Sequence, residues 1–111
     1  MKIGSDEHKA QFIRDTLKQF TESIWRDEMN LSWLAEQKAE KEKELVEIDG
    51  KLERKEYESA GVGRQLKALV NKELGEINQL TAQVQGKVTI EWPKQMEKVR
   101  EWAKSEGITL E

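Results

Sequence analysis

Apolar residues recur through the first half of the chain on a seven-residue repeat whose phase never slips. One set of positions is Ala10, Leu17, Ile24, Leu31, Lys38, Leu45 and Leu52. Its companion set is Ile13, Phe20, Asp27, Leu34, Lys41, Ile48 and Lys55. A repeat of that period predicts one long helix, or two nearly collinear ones, with a left-handed supercoil. Ser5 or Asp6 is the expected cap. Asn30 and Ser32 mark the weakest point, because both prefer caps to helix interiors. Asp27, Lys38 and Lys41 interrupt the seam. Polar residues there cost stability and fix register.

A second helix is predicted over about Arg64–Gln85, where Leu66, Val70, Leu74, Ile77, Leu80 and Val84 recur at helical spacing. Between the two lies Ser59-Ala60-Gly61-Val62-Gly63, which reads as the turn of an antiparallel hairpin. With Gly61 at the fold-back point, the numbers of facing residues add up to about 122. Leu34 then faces Val88, Leu45 faces Ile77, Ile48 faces Leu74 and Leu52 faces Val70. Gly75 is read as a close helix approach and Gly86 as a helix end.

Beyond Gly86 the pattern changes. Val88-Thr89-Ile90-Glu91-Trp92 alternates and is β-branched, which predicts a short extended segment. Pro93 then opens a short helix carrying Met96, Val99, Trp102 and Ala103, and Gly107 closes it. Ile108-Thr109-Leu110 alternates again and offers a second very short strand. The expected fold is all-α: a long helix, an antiparallel coiled-coil hairpin and a short C-terminal helix, with one or two very short strands beside it. Residues 1–111 form a single domain on this reading. Its base is 6–32 with 87–111, and its arm is 33–86 with a tip at 59–63.

Two apolar stripes on the first helix compete for cover. Counting about 100° per residue from Ile24, Trp25, Met29 and Trp33 fall near 100°, 140° and 180°, away from the heptad seam. The hairpin leaves residues 6–30 unpartnered, and the C-terminal segment is long enough to cover one face of them but not two. Aromatic residues cluster in small cores, so Trp92 and Trp102 are expected on Trp25-Met29-Trp33. That leaves Ile13, Leu17, Phe20 and Ile24, with Ala10, as an apolar row for another chain, and a homodimer is the expected result.

Composition agrees with long helices. Hydrophobic residues make up 36% and charged residues 37%, lean for a globule and ordinary for helices with one buried seam. The net charge of −3 argues against a non-specific nucleic-acid binder. Absence of cysteine removes disulfides and thiolate metal sites and suits a cytoplasmic setting. The N-terminus turns acidic at once, unlike a signal peptide.

Chemical motifs are wanting. His8 is the only histidine, so a di-iron bundle is disfavoured. Gly61-Val62-Gly63 lacks the strand, third glycine and Lys-Ser/Thr of a phosphate cradle. The four tryptophans have no basic groove in which to stack bases. No cofactor and no catalysis are expected.

The reading is a non-catalytic helical protein–protein interaction module: an adaptor, assembly factor or inhibitor of the kind phages and mobile elements encode. It would dock a helix face on a larger protein partner. Its candidate residues are Ile13, Leu17, Phe20, Ile24, Trp25, Met29 and Trp33. The alternative is a nucleic-acid accessory using Lys38, Lys41, Lys43, Lys51, Arg54, Lys55, Arg64 and Lys67 of the arm. The hairpin also looks like the arms that polymerase-channel factors insert. Those carry an acidic pair at the apex, whereas here Gly61-Val62-Gly63 takes the tip, with Glu56 and Glu58 close by.

Overall fold

The computed structural model describes residues 6–108, and the chain is all-α. Helix α1 (Asp6–Glu53) is followed by α2 (Ala60–Gly86) and α3 (Trp92–Ser105), with a π-helical turn, Lys87–Glu91, joining the last two. Asn30 and Ser32 do not break α1, so the unslipped heptad is one helix. The expected cap at Ser5 lies outside the described residues. The described residues fall into two compact units, 6–29 with 85–108 and 30–84.

The second unit is an antiparallel hairpin, but its turn is not at the glycines. α1 ends in a Schellman motif: Lys55 takes the left-handed conformation at φ 56°, the Glu56 amide donates to the Lys51 carbonyl, and the Lys55 amide donates to the Leu52 carbonyl. Ser59 then caps α2, its hydroxyl accepting from the Val62 amide at 3.4 Å. The turn is therefore residues 54–59, and Gly61 and Gly63 lie in the first turns of α2.

This moves the register. Lys41 Nζ meets Glu73 Oε2 at 2.5 Å, Lys67 Nζ meets Asp49 Oδ1 at 2.7 Å, and Leu52 packs on Gly63. Facing numbers thus add up to 114–116, about one heptad less than a Gly61-centred turn requires. The pairs Leu45–Ile77, Ile48–Leu74 and Leu52–Val70 are all displaced. Val70 lies two turns beyond the position opposite Leu52, about 10 Å along the axis. A shift of seven leaves the same faces together, so Leu34, Ile48 and Val70 are buried all the same.

Gly63 serves a close approach. A Cβ there would come within 2.8 Å of Leu52 Cγ and of Tyr57 Cδ2. Gly75 does not, since a Cβ there meets nothing within 4 Å. Gly86 ends α2 but does not cap it: its φ of −60° and ψ of −39° are helical, and the chain runs on into the π-helical turn.

In the first unit, residues 88–92 are helical rather than extended. With no strand beside them, their amides and carbonyls are satisfied only by staying in a helix. The widened turn sits just before Pro93, which has no amide and whose ring crowds the preceding turn. The Trp92 amide reaches back five residues to the Lys87 carbonyl, and the Thr89 hydroxyl donates to the Gln85 carbonyl at 2.7 Å. α3 closes at Gly107, φ 70°, in a second Schellman motif with the Ile108 amide on the Ala103 carbonyl at 2.9 Å. Among the described residues there is no strand. Thr109 and Leu110 of the expected second strand lie outside them.

The two Schellman ends yield a prediction. Gly107 takes its positive φ without strain, whereas Lys55 holds the same conformation against its Cβ. Lys55→Gly is expected to stabilise the hairpin by about 0.5–1 kcal/mol. Urea denaturation reads this as a raised midpoint at unchanged slope.

Candidate docking surfaces

The seven residues singled out in the sequence divide into a sealed row and an open one. Residues 6–29 of α1 pack on residues 85–108, and they do so through the heptad seam. Ile13 is 0% exposed, with Ala10 and Ala103 buried in the same unit. Leu17, Phe20 and Ile24 are half-buried. The Phe20 ring lies 5.8 Å from that of Trp92 at a tilt of 42°. Trp92 Nε1 donates a 2.7 Å hydrogen bond to Asp27 Oδ2, so the polar intrusion at Asp27 has a partner inside the unit. Lys9 Nζ and Glu106 Oε2 stand 3.4 Å apart.

The expected assignment of the two stripes is therefore reversed. The row Ala10, Ile13, Leu17 and Phe20, expected to meet another chain, is buried or half-buried within its own unit, with Trp92 against Phe20 and Glu106 at Lys9. Trp25 and Met29, which it placed under Trp92 and Trp102, are 64% and 56% exposed. The physical reason is Trp92. Its indole needs an acceptor as well as an apolar contact, and Asp27 on the heptad side supplies one next to Phe20.

In the 30–84 unit, Trp33 is 57% exposed and borders an open recess of about 360 Å³. The recess is lined by Trp33, Leu34 and Gln37 of α1 and by Glu76, Ile77 and Leu80 of α2. The Lys41–Glu73 pair forms one end of it. The hydrogen bond with Glu73 is the main reason the Lys41 ammonium titrates above the ordinary lysine value. Leu80 is 49% exposed and Leu69 53%. The sequence pattern places Leu80 in one stripe with Val70 and Ile77, which face α1, and does not single out Leu69.

The turn has its own chemistry. Arg54 grips Glu56 through two bonds, Nε–Oε1 at 2.7 Å and Nη2–Oε2 at 3.2 Å. That hydrogen bonding holds the Glu56 carboxyl below the usual glutamate range and raises Arg54. A lowered carboxyl contributes above its unfolded value and loses the contribution as pH falls through the lowered one. Glu56 and Glu58 do stand in the turn, but Glu56 is already occupied by Arg54. Among the described residues no three His, Asp or Glu side chains gather as a metal site. None of the described helices is long and apolar enough to cross a membrane.

Comparison with family models, with curated proteins and with solved structures returns no match to this chain.

Proposed function

We propose that the chain is a non-catalytic interaction module that docks on a larger protein through exposed apolar side chains of its helices. The observation that carries this is Trp25 with Met29. They lie one helical turn apart, each more than half exposed, in a unit whose other apolar row is buried or half-buried. Exposed tryptophan and methionine are the side chains that anchor interfaces. Adaptor, assembly factor and inhibitor all fit this reading, as does the cytoplasmic setting that a cysteine-free chain suits.

The nucleic-acid alternative is weakened by the ion pairs. Lys41 is taken by Glu73 and Glu44, Lys67 by Asp49, and Arg54 by Glu56. Bases tied to carboxylates release few counterions from a phosphate backbone. The dimer proposed from the heptad row loses that row as its interface.

The test is photo-crosslinking in the native host, with benzoylphenylalanine in place of Trp25 or of Glu7 on the polar surface. A discrete protein adduct at Trp25, absent at Glu7 and lost on Met29→Asp, is expected. Mobility shifts with duplex and single-stranded DNA and RNA, at about 50 and 200 mM salt, are expected to show no sub-micromolar binding. Binding at low salt that collapses at high salt would replace this reading with the nucleic-acid one.

A further inference from the structure

We infer that the open face of the 30–84 hairpin is a groove for a basic amphipathic helix of another protein. The inference rests on the docking proposal and names the chemistry of the partner.

α2 carries two heptad lines side by side. The line facing α1 is Gly63, Lys67, Val70, Leu74 and Ile77, of which Gly63 and Val70 are buried. The neighbouring line is Val62, Leu66, Leu69, Glu73, Glu76 and Leu80, spaced four, three, four, three, four. Its four apolar members are all exposed. A helix with two adjacent seams is built to contact two helices, and α1 accounts for only one. The second line spans about 27 Å, five turns, the length of one partner helix.

The other wall comes from α1. Trp33, Gln37, Glu40, Glu44, Glu47 and Lys51 continue the same spacing. The recess that Trp33 and Gln37 share with Glu76 and Leu80 puts both lines on one side of the hairpin. The groove thus has an apolar line along α2, a tryptophan at one end, and five glutamates and one lysine, Lys51, along it. Lys41 answers two of these, Glu44 and Glu73. Lys43 and Lys72 fall further round on the outer flanks. Glu40, Glu47 and Glu76 are left facing the groove with no ion pair among the described residues.

That pattern selects the occupant. A second copy of α2 is a poor fit in either direction. Laid parallel, it sets Glu73 and Glu76 against their own equivalents. Laid antiparallel, it sets Glu76 against Leu66 and Glu73 against Leu69, and a carboxylate desolvated by leucine is strongly penalised. A helix with leucine-type residues in its seam and Lys or Arg on both shoulders fills the apolar line. It also answers the free carboxylates, and complementary flanking charges of this kind set partner choice in coiled coils.

The test uses two fluorescein-labelled synthetic helices about 21 residues long with the same Leu/Ile seam, one flanked by lysines and the other by glutamates. Anisotropy titrations against the full chain are expected to show the basic peptide binding about tenfold or more tighter than the acidic one. Leu66→Gln with Leu69→Gln should abolish binding at unchanged helical circular dichroism. Glu40→Lys, Glu44→Lys and Glu47→Lys together should reverse the preference. Equal binding of the two peptides, no binding of either, or binding indifferent to Leu66 and Leu69 would overturn the inference. So would a wild-type dimer in sedimentation that Leu66→Gln with Leu69→Gln dissolves, which would make a second copy the occupant. Failure here leaves the docking proposal standing if the Trp25 crosslink persists, whereas loss of that crosslink with peptide selectivity intact removes only the Trp25 patch.

Discussion

Ile13→Asp is expected to melt the unit built from residues 6–29 and 85–108. Ile13 has no accessible surface. Truncating a buried isoleucine costs about 2–5 kcal/mol, and an unpaired carboxylate in its place costs more, because no solvent or partner compensates it. A loss above about 4 kcal/mol is a large share of the stability of any small domain. Calorimetry and near-ultraviolet circular dichroism of the tryptophans should report a lost or strongly lowered transition. The same logic applies to Leu17→Glu with Phe20→Glu. If that row were an interface between copies, the double variant would be a folded monomer. With α3 and Trp92 against Phe20, it is instead expected to be unfolded in this unit. A folded, stable double variant would contradict the packing.

Gly63→Val carries the second largest effect. Valine is the better helix former by a few tenths of a kcal/mol, so propensity alone predicts a gain. The site predicts a loss, because the Cβ would press on Leu52 Cγ and the Tyr57 ring, both at 2.8 Å. Overpacking of this kind costs about 1–3 kcal/mol, and the β-branched side chain cannot turn away. The net expectation is a destabilisation of about 2 kcal/mol in urea denaturation. Gly75→Ala is the control: its Cβ meets open space, so the propensity term acts unopposed and adds up to about 1 kcal/mol. Opposite signs at two glycines of one helix are the signature of the register. A Gly63→Val variant as stable as wild type would place Leu52 elsewhere.

What the sequence disclosed follows from which signals are local. The period of the apolar residues fixes helix, hairpin and buried face, and these agree with the structure. It does not fix register, since a heptad pattern is unchanged by a shift of seven. Only the turn breaks that degeneracy, and the preference of glycine for positive φ points to Gly61 and Gly63. The residue that takes positive φ is Lys55, which no composition rule singles out. Gly107, by contrast, was legible because glycine does stand at that helix end. The β-branched run at 88–90 has local strand preference and no strand to pair with, so its neighbours decided its fate.

The candidate site was legible as a set of apolar residues and misread in its allocation. Two stripes on α1 differ little in hydropathy. The choice between them turns on one polar contact, Trp92 to Asp27, and in the sequence Asp27 reads only as an interruption of the seam. The second seam of α2 went unnoticed for a related reason. Leu66 and Leu80 lie close enough to Val70 and Ile77 on the helix to read as one stripe, until the position of α1 separates the covered residues from the open ones.

Thiol accessibility measures directly which apolar rows are sealed and which are open. The chain has no cysteine, so each single substitution reports one site. Ala103→Cys and Val70→Cys are expected to react with an aromatic disulfide reagent at least about a hundredfold more slowly than a free thiol, because labelling there requires opening worth about 3 kcal/mol. Met29→Cys and Leu69→Cys are expected to react at close to the free-thiol rate. Fast labelling at residue 103 or 70, or protection at residue 29 or 69, would contradict the account.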